Sequence, residues 1–343
     1  MWTAFLNSDS SLLGYKDKNG AVRIEPKFMG FTIANKFDKI IAVTEKVNGS
    51  YKSYYLTKAG KIIGIDSLHI FDNGPDCESE GFIRFRVSQT EKVGMFNSNG
   101  KIVIPADYDA LTRVKNGMVV GLKGAKKKFW DKKKHSDCNH FSWTGGKEIL
   151  ITVDNKLIID NFTNNDNLNF NSLVVTTQPT SDLTRKYYKG IDGKYYSFVD
   201  FDKEFKLWLK TTILDNLTKD KLINSSSKEI TYWKESTGWT SESKLDFIDR
   251  NYELLKDKLL VITSKDCDYN IFNEGLNRYI FKSDKYSNFF NTCGESKDWI
   301  YPVKNIVINY KTISDLNQDH FEFLRTDTGY ELISVSIKSG EIK

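Results

Sequence analysis

Across the first half of the chain apolar and polar side chains alternate in short runs, separated by turns that contain Gly and Asn. The pattern is clearest in Lys18-Asn19-Gly20-Ala21-Val22-Arg23-Ile24, in Lys58-Ala59-Gly60-Lys61-Ile62-Ile63, and in Ser98-Asn99-Gly100-Lys101-Ile102-Val103-Ile104. Alternation with period two predicts strands, and a polar step ending in Gly, which accepts positive φ, predicts a hairpin joining them. The three glycines stand at 20, 60 and 100. Five positions before them come Tyr15, Tyr55 and Met95, and eight after them come Phe28, Leu68 and Tyr108. A lone hairpin has only one apolar face to bury, so a shared register at a period of about forty residues predicts units that stack on one another.

Two further units follow with drift, Val153-Asp154-Asn155-Lys156-Leu157-Ile158-Ile159 and Gly190-Ile191-Asp192-Gly193-Lys194-Tyr195-Tyr196. The step from Gly100 to Asn155 exceeds the period by about the length of residues 124–140. That segment therefore reads as a lysine-rich, solvated insertion between units. The resulting plan has a β-repeat region over 1–172, a further repeat strand and connection over 173–196, and a separate region from 197 to 343.

The run Leu13-Gly14-Tyr15-Lys16-Asp17-Lys18-Asn19-Gly20, followed by Ile24-Glu25-Pro26-Lys27-Phe28, resembles the WG repeat. So does Val93-Gly94-Met95-Phe96-Asn97 with Gly100 to Ile104, Pro105, Asp107, Tyr108 and Asp109. Leu13 and Val93 stand where that repeat has its tryptophan, and the Tyr55 unit lacks the Gly and the Pro. The resemblance spans roughly residues 1–160. It implies a β-rich bacterial module of no established catalytic activity, and it transfers no catalytic residue.

From Ser197 the period changes. Phe201, Phe205, Trp208, Leu209, Ile213, Leu217 and Leu222 fall as one face of an amphipathic helix. Leu245, Ile248, Tyr252, Leu255 and Leu259 form a second, with Ser241 as its N-cap ahead of Glu242. Strands return at Val303 to Tyr310, His320 to Thr326 and Tyr330 to Ile337, with Asp327-Thr328-Gly329 as a turn. The expected fold class is thus multi-domain: an all-β repeat array followed by an α+β domain. The order of elements in the latter loosely resembles nuclear-transport-factor-2-like folds, by analogy alone.

A length of 343 residues suits two cores, and 39% apolar with 13% aromatic residues supports strand-rich interiors. The formal charge of +5 is concentrated in Lys126 to Lys128 and Lys132 to Lys134. Basic residues are not spread along a face with interleaved aromatics, which argues against nucleic acid as a partner. No run reaches the roughly 18 apolar residues of a spanning helix. The start lacks a basic segment followed by an apolar one, which reads as cytoplasmic; a leader replaced at Met1 would read as exported or envelope-bound. Four cysteines, two in each half, permit a pairing of Cys267 with Cys293 and of Cys77 with Cys138.

Chemistry is sparse. His135, Cys138 and His140 could give a zinc ion three ligands, but the fourth is missing and a polar loop is the better reading. Cys293 with His320 is the one thiol–imidazole combination, read more plainly as a helix end capped by Gly294 and a strand start. The acid pairs Asp315 with Asp319 and Glu78 with Glu80 have no glycosidase setting, and no phosphate-cradling or dinucleotide motif occurs. No catalytic residue, metal or cofactor is therefore expected, and the chain reads as leaning away from an enzyme. Its partner is expected to be another protein or a small ligand. Trp233, Trp239 and Trp299 are the candidate binding residues, since Trp buries much area with few rotors. The alternative is a small-ligand receptor or enzyme with these tryptophans lining a pocket of the α+β domain.

Overall fold

A computed structural model describes residues 1–71, 74–130, 140–234, 236–311 and 316–343. Most of the zinc-like run, including His135 and Cys138, and the acid Asp315 lie outside the described residues.

The first 200 residues form antiparallel sheets in chain order. One of seven strands covers Trp2 to Ile63, one of three covers Phe82–Tyr108, one of four covers Ala110 to Ile159, and one of three covers Leu168 to Asp200. Hairpins in these sheets close with the same two backbone bonds. Gly20 N–H donates to Asp17 O and Asp17 N–H to Ala21 O; the pairs Gly60/Thr57 with Thr57/Lys61, Gly100/Asn97 with Asn97/Lys101, Asn155/Thr152 with Thr152/Lys156, and Gly193/Gly190 with Gly190/Lys194 repeat it. Every residue at the fourth position has positive φ: Gly20, Gly60, Gly100, Asn155 and Gly193. The turn is further fixed by the residue that opens it. Asp17 Oδ1 accepts from Asn19 and Ala21 N–H, and Asn97 Oδ1 from Asn99 and Lys101 N–H.

Gly14 and Gly94, which follow Leu13 and Val93, also have a physical reason. A Cβ on Gly14 would lie 2.6 Å from Ile24 O, and one on Gly94 would lie 2.8 Å from Ile104 O, because the next strand bulges against both. In the second unit the corresponding residue is Tyr54. There the following strand is only Ile62–Ile63 and pairs with Tyr55 and Leu56, so nothing presses on Tyr54 from that side.

Stacking is visible in the cores. Val43, Tyr54 and Leu56 face a cluster with Tyr15, Phe28 and Phe37, while Ala42 and Tyr55 face the next cluster with Ile83, Phe85 and Phe96. Likewise Val119, Ile149 and Ile151 join Met95 and Tyr108, and Met118, Val120 and Leu150 join Phe162, Phe170 and Phe198. A strand buried on both faces needs apolar residues at successive positions, which is why these runs read as continuous rather than alternating.

Residues 124–129, expected in an insertion loop between units, instead continue the strand Met118–Phe129, which pairs with Phe141–Thr152 along a single long hairpin. The extra length lies inside one unit.

The strand Tyr195–Asp200 runs to the start of helix α1 (Phe201–Trp208), whose N-cap is Asp200, accepting from the N–H groups of Asp202 and Lys203. The single long helix expected from Phe201 to Leu222 is broken. After α1 the chain widens into a π-type turn over Leu209–Leu214, then bends, and α2 spans Lys219–Asn224 behind an N-cap at Thr218. The uniform spacing of four from Phe201 through Leu217 explains this: a regular α-helix would rotate that row away from the core, and a π turn keeps Leu209, Ile213 and Leu217 buried. Helix α3 (Lys244–Leu260) is capped by Ser243, whose hydroxyl accepts from Asp246 N–H. Ser241, expected as the cap, sits in the preceding strand and bonds Thr231. Leu245 is exposed and Phe247 takes the buried position.

The helices cover one face of a six-stranded sheet ordered Gly238–Ser243, Ser226–Lys234, Gly329–Ser336, Leu316–Thr326, Val303–Lys311 and Asp268–Glu274. Ser226–Lys234 runs parallel to Gly329–Ser336 and the other neighbours are antiparallel. Phe205, Phe247, Leu255, Ile306, Phe321, Phe323 and Leu332 fill that face as one apolar core. The opposite face is partly covered by Leu276, Phe281 and Tyr286, from the long connection that leads back to Val303.

Candidate binding cleft

The connection before Val303 carries the turn Asn291–Glu295, closed by the same two bonds as the hairpins above: Gly294 N–H to Asn291 O (3.1 Å) and Asn291 N–H to Glu295 O (2.8 Å). Asn291 Oδ1 accepts from Cys293 and Glu295 N–H, as Asp17 does in the first hairpin. This turn docks on the first sheet. Lys36 N–H donates to Thr292 O, Asn35 Nδ2 donates to Cys293 O, and Cys293 forms a disulfide with Cys77.

Neither of the two pairings that the sequence permitted is formed. Cys267 is a free thiol, and the bridge joins the halves across 216 positions rather than closing a loop within either. Two cysteines in each half suggested local loops; the docking of one turn into the array, a contact with no sequence periodicity, decides otherwise. Cys293 consequently has no thiol to act as nucleophile. It lies in a turn rather than at a helix end, and His320 is within a strand, with Nδ1 3.3 Å from Asn305 Nδ2.

Beside the disulfide lies a buried ion network. Asp76 accepts from Arg84 through Nε (3.0 Å) and Nη2 (2.6 Å) and from Arg113 Nε (2.9 Å), and Arg113 also holds Glu295. Burial alone would raise the Asp76 carboxyl, but the two guanidiniums overcome it and hold the group well below the usual carboxylate range. His69, next to this cluster, is 6% exposed and its Nδ1 has no partner among the described residues. Burial, reinforced by Arg84, lowers its pKa to about 4, so it is neutral at physiological pH.

Two clefts flank this junction, with Trp299 in the wall of each. The larger, about 460 Å³, runs between Lys36, Lys39, Glu78 and Gly81 on one side and Ser287, Asn291 and Lys297 on the other. The smaller, about 260 Å³, lies between Thr112, Lys115 and Asn165–Leu168 of the N-terminal sheets and Phe201, Asn273, Glu274, Asp298 and Pro302. Its floor is tied down by Asp202, which accepts from Lys304 Nζ (2.6 Å), Asn167 Nδ2 (3.1 Å) and Asn273 Nδ2 (3.1 Å). The Lys304 side chain has no solvent exposure, so this pair is rigid and fixes the amides beside it.

The ammonium of Lys115 lies 5.5 Å from the Phe170 ring and makes no ion pair among the described residues. Burial pushes it below the usual lysine range against the pull of Asp298 and Asp166. Asp298 stands at the open rim, yet crowding by protein raises its carboxyl, opposed by Lys115. The smaller cleft thus offers one under-compensated cation, several carboxylates and amides, and apolar walls from Phe170, Phe201, Trp299 and Pro302.

Of the tryptophans singled out in the sequence, only Trp299 reaches this junction. Trp233 and Trp239 face each other across a hairpin, with ring centroids 5.5 Å apart, and are 40% and 43% exposed; they line neither cleft. The residues that sequence reasoning missed are Lys115, Asn165, Asp166, Asn167 and Asn273. The polar run Asn164-Asn165-Asp166-Asn167, with positive φ at Asn164 and Asn167, carried the one available signal, a tight turn rich in side-chain amides. Among the described residues no cluster of His, Cys, Asp and Glu is arranged to hold a metal, and no helix is long and apolar enough to cross a membrane.

No curated protein and no solved structure matches the chain. Residues 94–120, from the strand with Gly94 into the strand with Val120, match the family described as WG containing repeat, and the chain carries a WG-type repeat over that segment.

Proposed function

We propose that the chain is a non-enzymatic ligand-binding protein. In this reading a β-repeat array of about forty-residue period (1–172, with 173–196 as its last strand and connection) and an α+β unit (197–343) hold a small ligand in the 260 Å³ cleft between them. The observation that carries it is Lys115, a half-buried ammonium with no ion pair among the described residues, set opposite carboxylates in a lined cleft. Leaving a cation in that setting is costly unless an anion completes it. The chemistry fits a zwitterion of the amino-acid or dipeptide class. Its carboxylate would meet Lys115, its ammonium would meet Asp166 or Asp298, and its side chain would lie against Trp299 and Phe201.

Thermal melts in the presence of each of the common amino acids and a dipeptide set test it. A ligand at about ten times its Kd is expected to raise the melting temperature by about 2 °C. Lys115→Met should abolish that response without lowering the melting temperature of the free protein. If no amino acid or dipeptide at millimolar concentration shifts the melt, or if Lys115→Met responds as the unaltered protein does, the reading fails.

A further inference from the structure

The long hairpin Met118–Phe129 with Phe141–Thr152 has two unlike halves. Its base, Met118 to Leu122 with Glu148 to Thr152, supplies buried residues to two neighbouring cores. Beyond Lys123 and Lys147 the ribbon is held to the rest of the protein by Ala125 N–H to Asp109 and Lys127 to Glu91, and from there to Trp130 and His140 none of its side chains is fully buried. This outer half contains no acidic residue among those described.

Its two faces differ. On one, Phe129, Phe141 and Trp143 pack edge to face, with Lys127 over the Phe141 ring at 4.5 Å and paired to Glu91. On the other, the exposed Lys126 and Lys128 lead to Trp130, whose ring stacks on His140 and whose Nε1 donates to Ser142 Oγ. Among the described residues neither Lys126 nor Lys128 has an ion-pair partner. At the end of the described ribbon Phe129 is 51% and Trp130 is 70% exposed, two large apolar rings each covered only in part, by Phe141 and His140, among the described residues.

We propose that this ribbon docks on the surface of an anionic lipid bilayer, with Phe129 and Trp130 entering the boundary between headgroups and acyl chains and Lys126 and Lys128 at the phosphates. The spacing suits that role. At about 3.3 Å per residue the two lysines lie roughly 7–13 Å from Trp130 along the strand, comparable to the 5–10 Å over which interfacial elements are buried. Aromatic rings with a polar edge and set-back lysines are the combination that membrane interfaces select. A single-stranded nucleic acid is the weaker occupant. Stacking bases need free ring faces, whereas Trp130 already has one face on His140 and the phenyl rings present edges. The Cys77–Cys293 bridge also belongs to an oxidising compartment.

The test is sedimentation of the full chain with vesicles of 30% phosphatidylglycerol in phosphatidylcholine, with pure phosphatidylcholine vesicles and a fluorescent oligo-dT as the other arms. Binding to the anionic vesicles alone is expected, weakened by 0.5 M salt and accompanied by a blue shift in tryptophan emission. Lys126→Gln with Lys128→Gln should lower vesicle affinity by about 25-fold, roughly fivefold per lysine. Phe129→Ser with Trp130→Ser should lower it at least tenfold and remove the blue shift. Because these side chains are exposed, unchanged melting temperatures show that each variant is folded. Failure of the unaltered chain to sediment with anionic vesicles, equal binding by either variant, or binding to oligo-dT in place of vesicles overturns the proposal.

Discussion

The N-terminal sheets and the C-terminal sheet solve the same problem by opposite means. In the N-terminal sheets the hairpins are written locally: the turn opens on Asp17, Thr57, Asn97 or Thr152, whose side chain accepts a backbone N–H, or on Gly190, where Asp192 does so instead, and a residue three after the opening one tolerates positive φ. In the C-terminal region one core collects Phe205, Ile230, Phe247, Ile306, Phe323 and Ile342, residues far apart in sequence. Loop closure must precede the reward there, whereas the N-terminal hairpins pair strands that are neighbours in sequence. The difference concentrates the chain's vulnerability at the junction, where one borrowed turn, Asn291–Glu295, carries the covalent bond between the two.

The comparison is broken most severely by removing that bond. Cys77→Ser with Cys293→Ser releases a loop of 216 positions, which costs about 5.4 kcal/mol by the chain-entropy relation. Calorimetry should then resolve two transitions where one is expected for the oxidised chain, and dithiothreitol should produce the same trace in the unaltered protein. A single unchanged transition would mean that Arg113–Glu295 and the flanking hydrogen bonds alone couple the halves.

A pH series sharpens the contrast next. His69 in the array and His320 in the C-terminal sheet are both held below their ordinary value by burial, but His69 is the more enclosed. A histidine whose folded pKa is depressed contributes stability above its unfolded pKa and loses it as pH falls. For His69, with a folded value of about 4 against about 6.5 unfolded, the loss spreads over the interval between them and totals roughly 3 kcal/mol. Urea midpoints from pH 7 to 4.5 should therefore fall, and His69→Gln should flatten the slope more than His320→Gln does. The carboxylate of Asp76, depressed by its arginines, keeps its contribution through this window and loses it only below the ordinary carboxylate value.

The same contrast explains what was legible. Turns and two-sided strands carry their code in adjacent residues, so the hairpins at Gly20, Gly60, Gly100, Asn155 and Gly193 could be read, as could the closing strands around the Asp327-Thr328-Gly329 turn. The strands Ser226–Lys234 and Asp268–Glu274 could not, because the first owes its place to a parallel neighbour a hundred residues on and the second is mostly exposed. The cap of α3 slipped by two residues, from Ser241 to Ser243, because Ser241 stands ahead of Glu242 while Ser243 has Asp246 three residues on, and only the extent of the hairpin decides between them. The cleft was illegible for a related reason. Lys115, Asn167, Asn273 and Trp299 share no spacing, and only the docking of one sheet on another brings them together.

The smallest effect tests the turn code itself. Gly20 has φ +84°, and a Cβ there would meet nothing within 4 Å, so the only penalty for a side chain is the left-handed backbone. Ala should cost about 1 kcal/mol in urea denaturation. Asn should be nearly neutral, because Asn tolerates this region and Asn155 already occupies the equivalent place at φ +63°. At Gly14 the conformation is ordinary but Ile24 O lies 2.6 Å from the added carbon, so Gly14→Ala should cost more than Gly20→Ala and Asn should bring no rescue. An Asn at position 20 as damaging as Ala would show that the turn selects glycine for its missing side chain rather than for its backbone freedom, and the local code argued for the array would lose its basis.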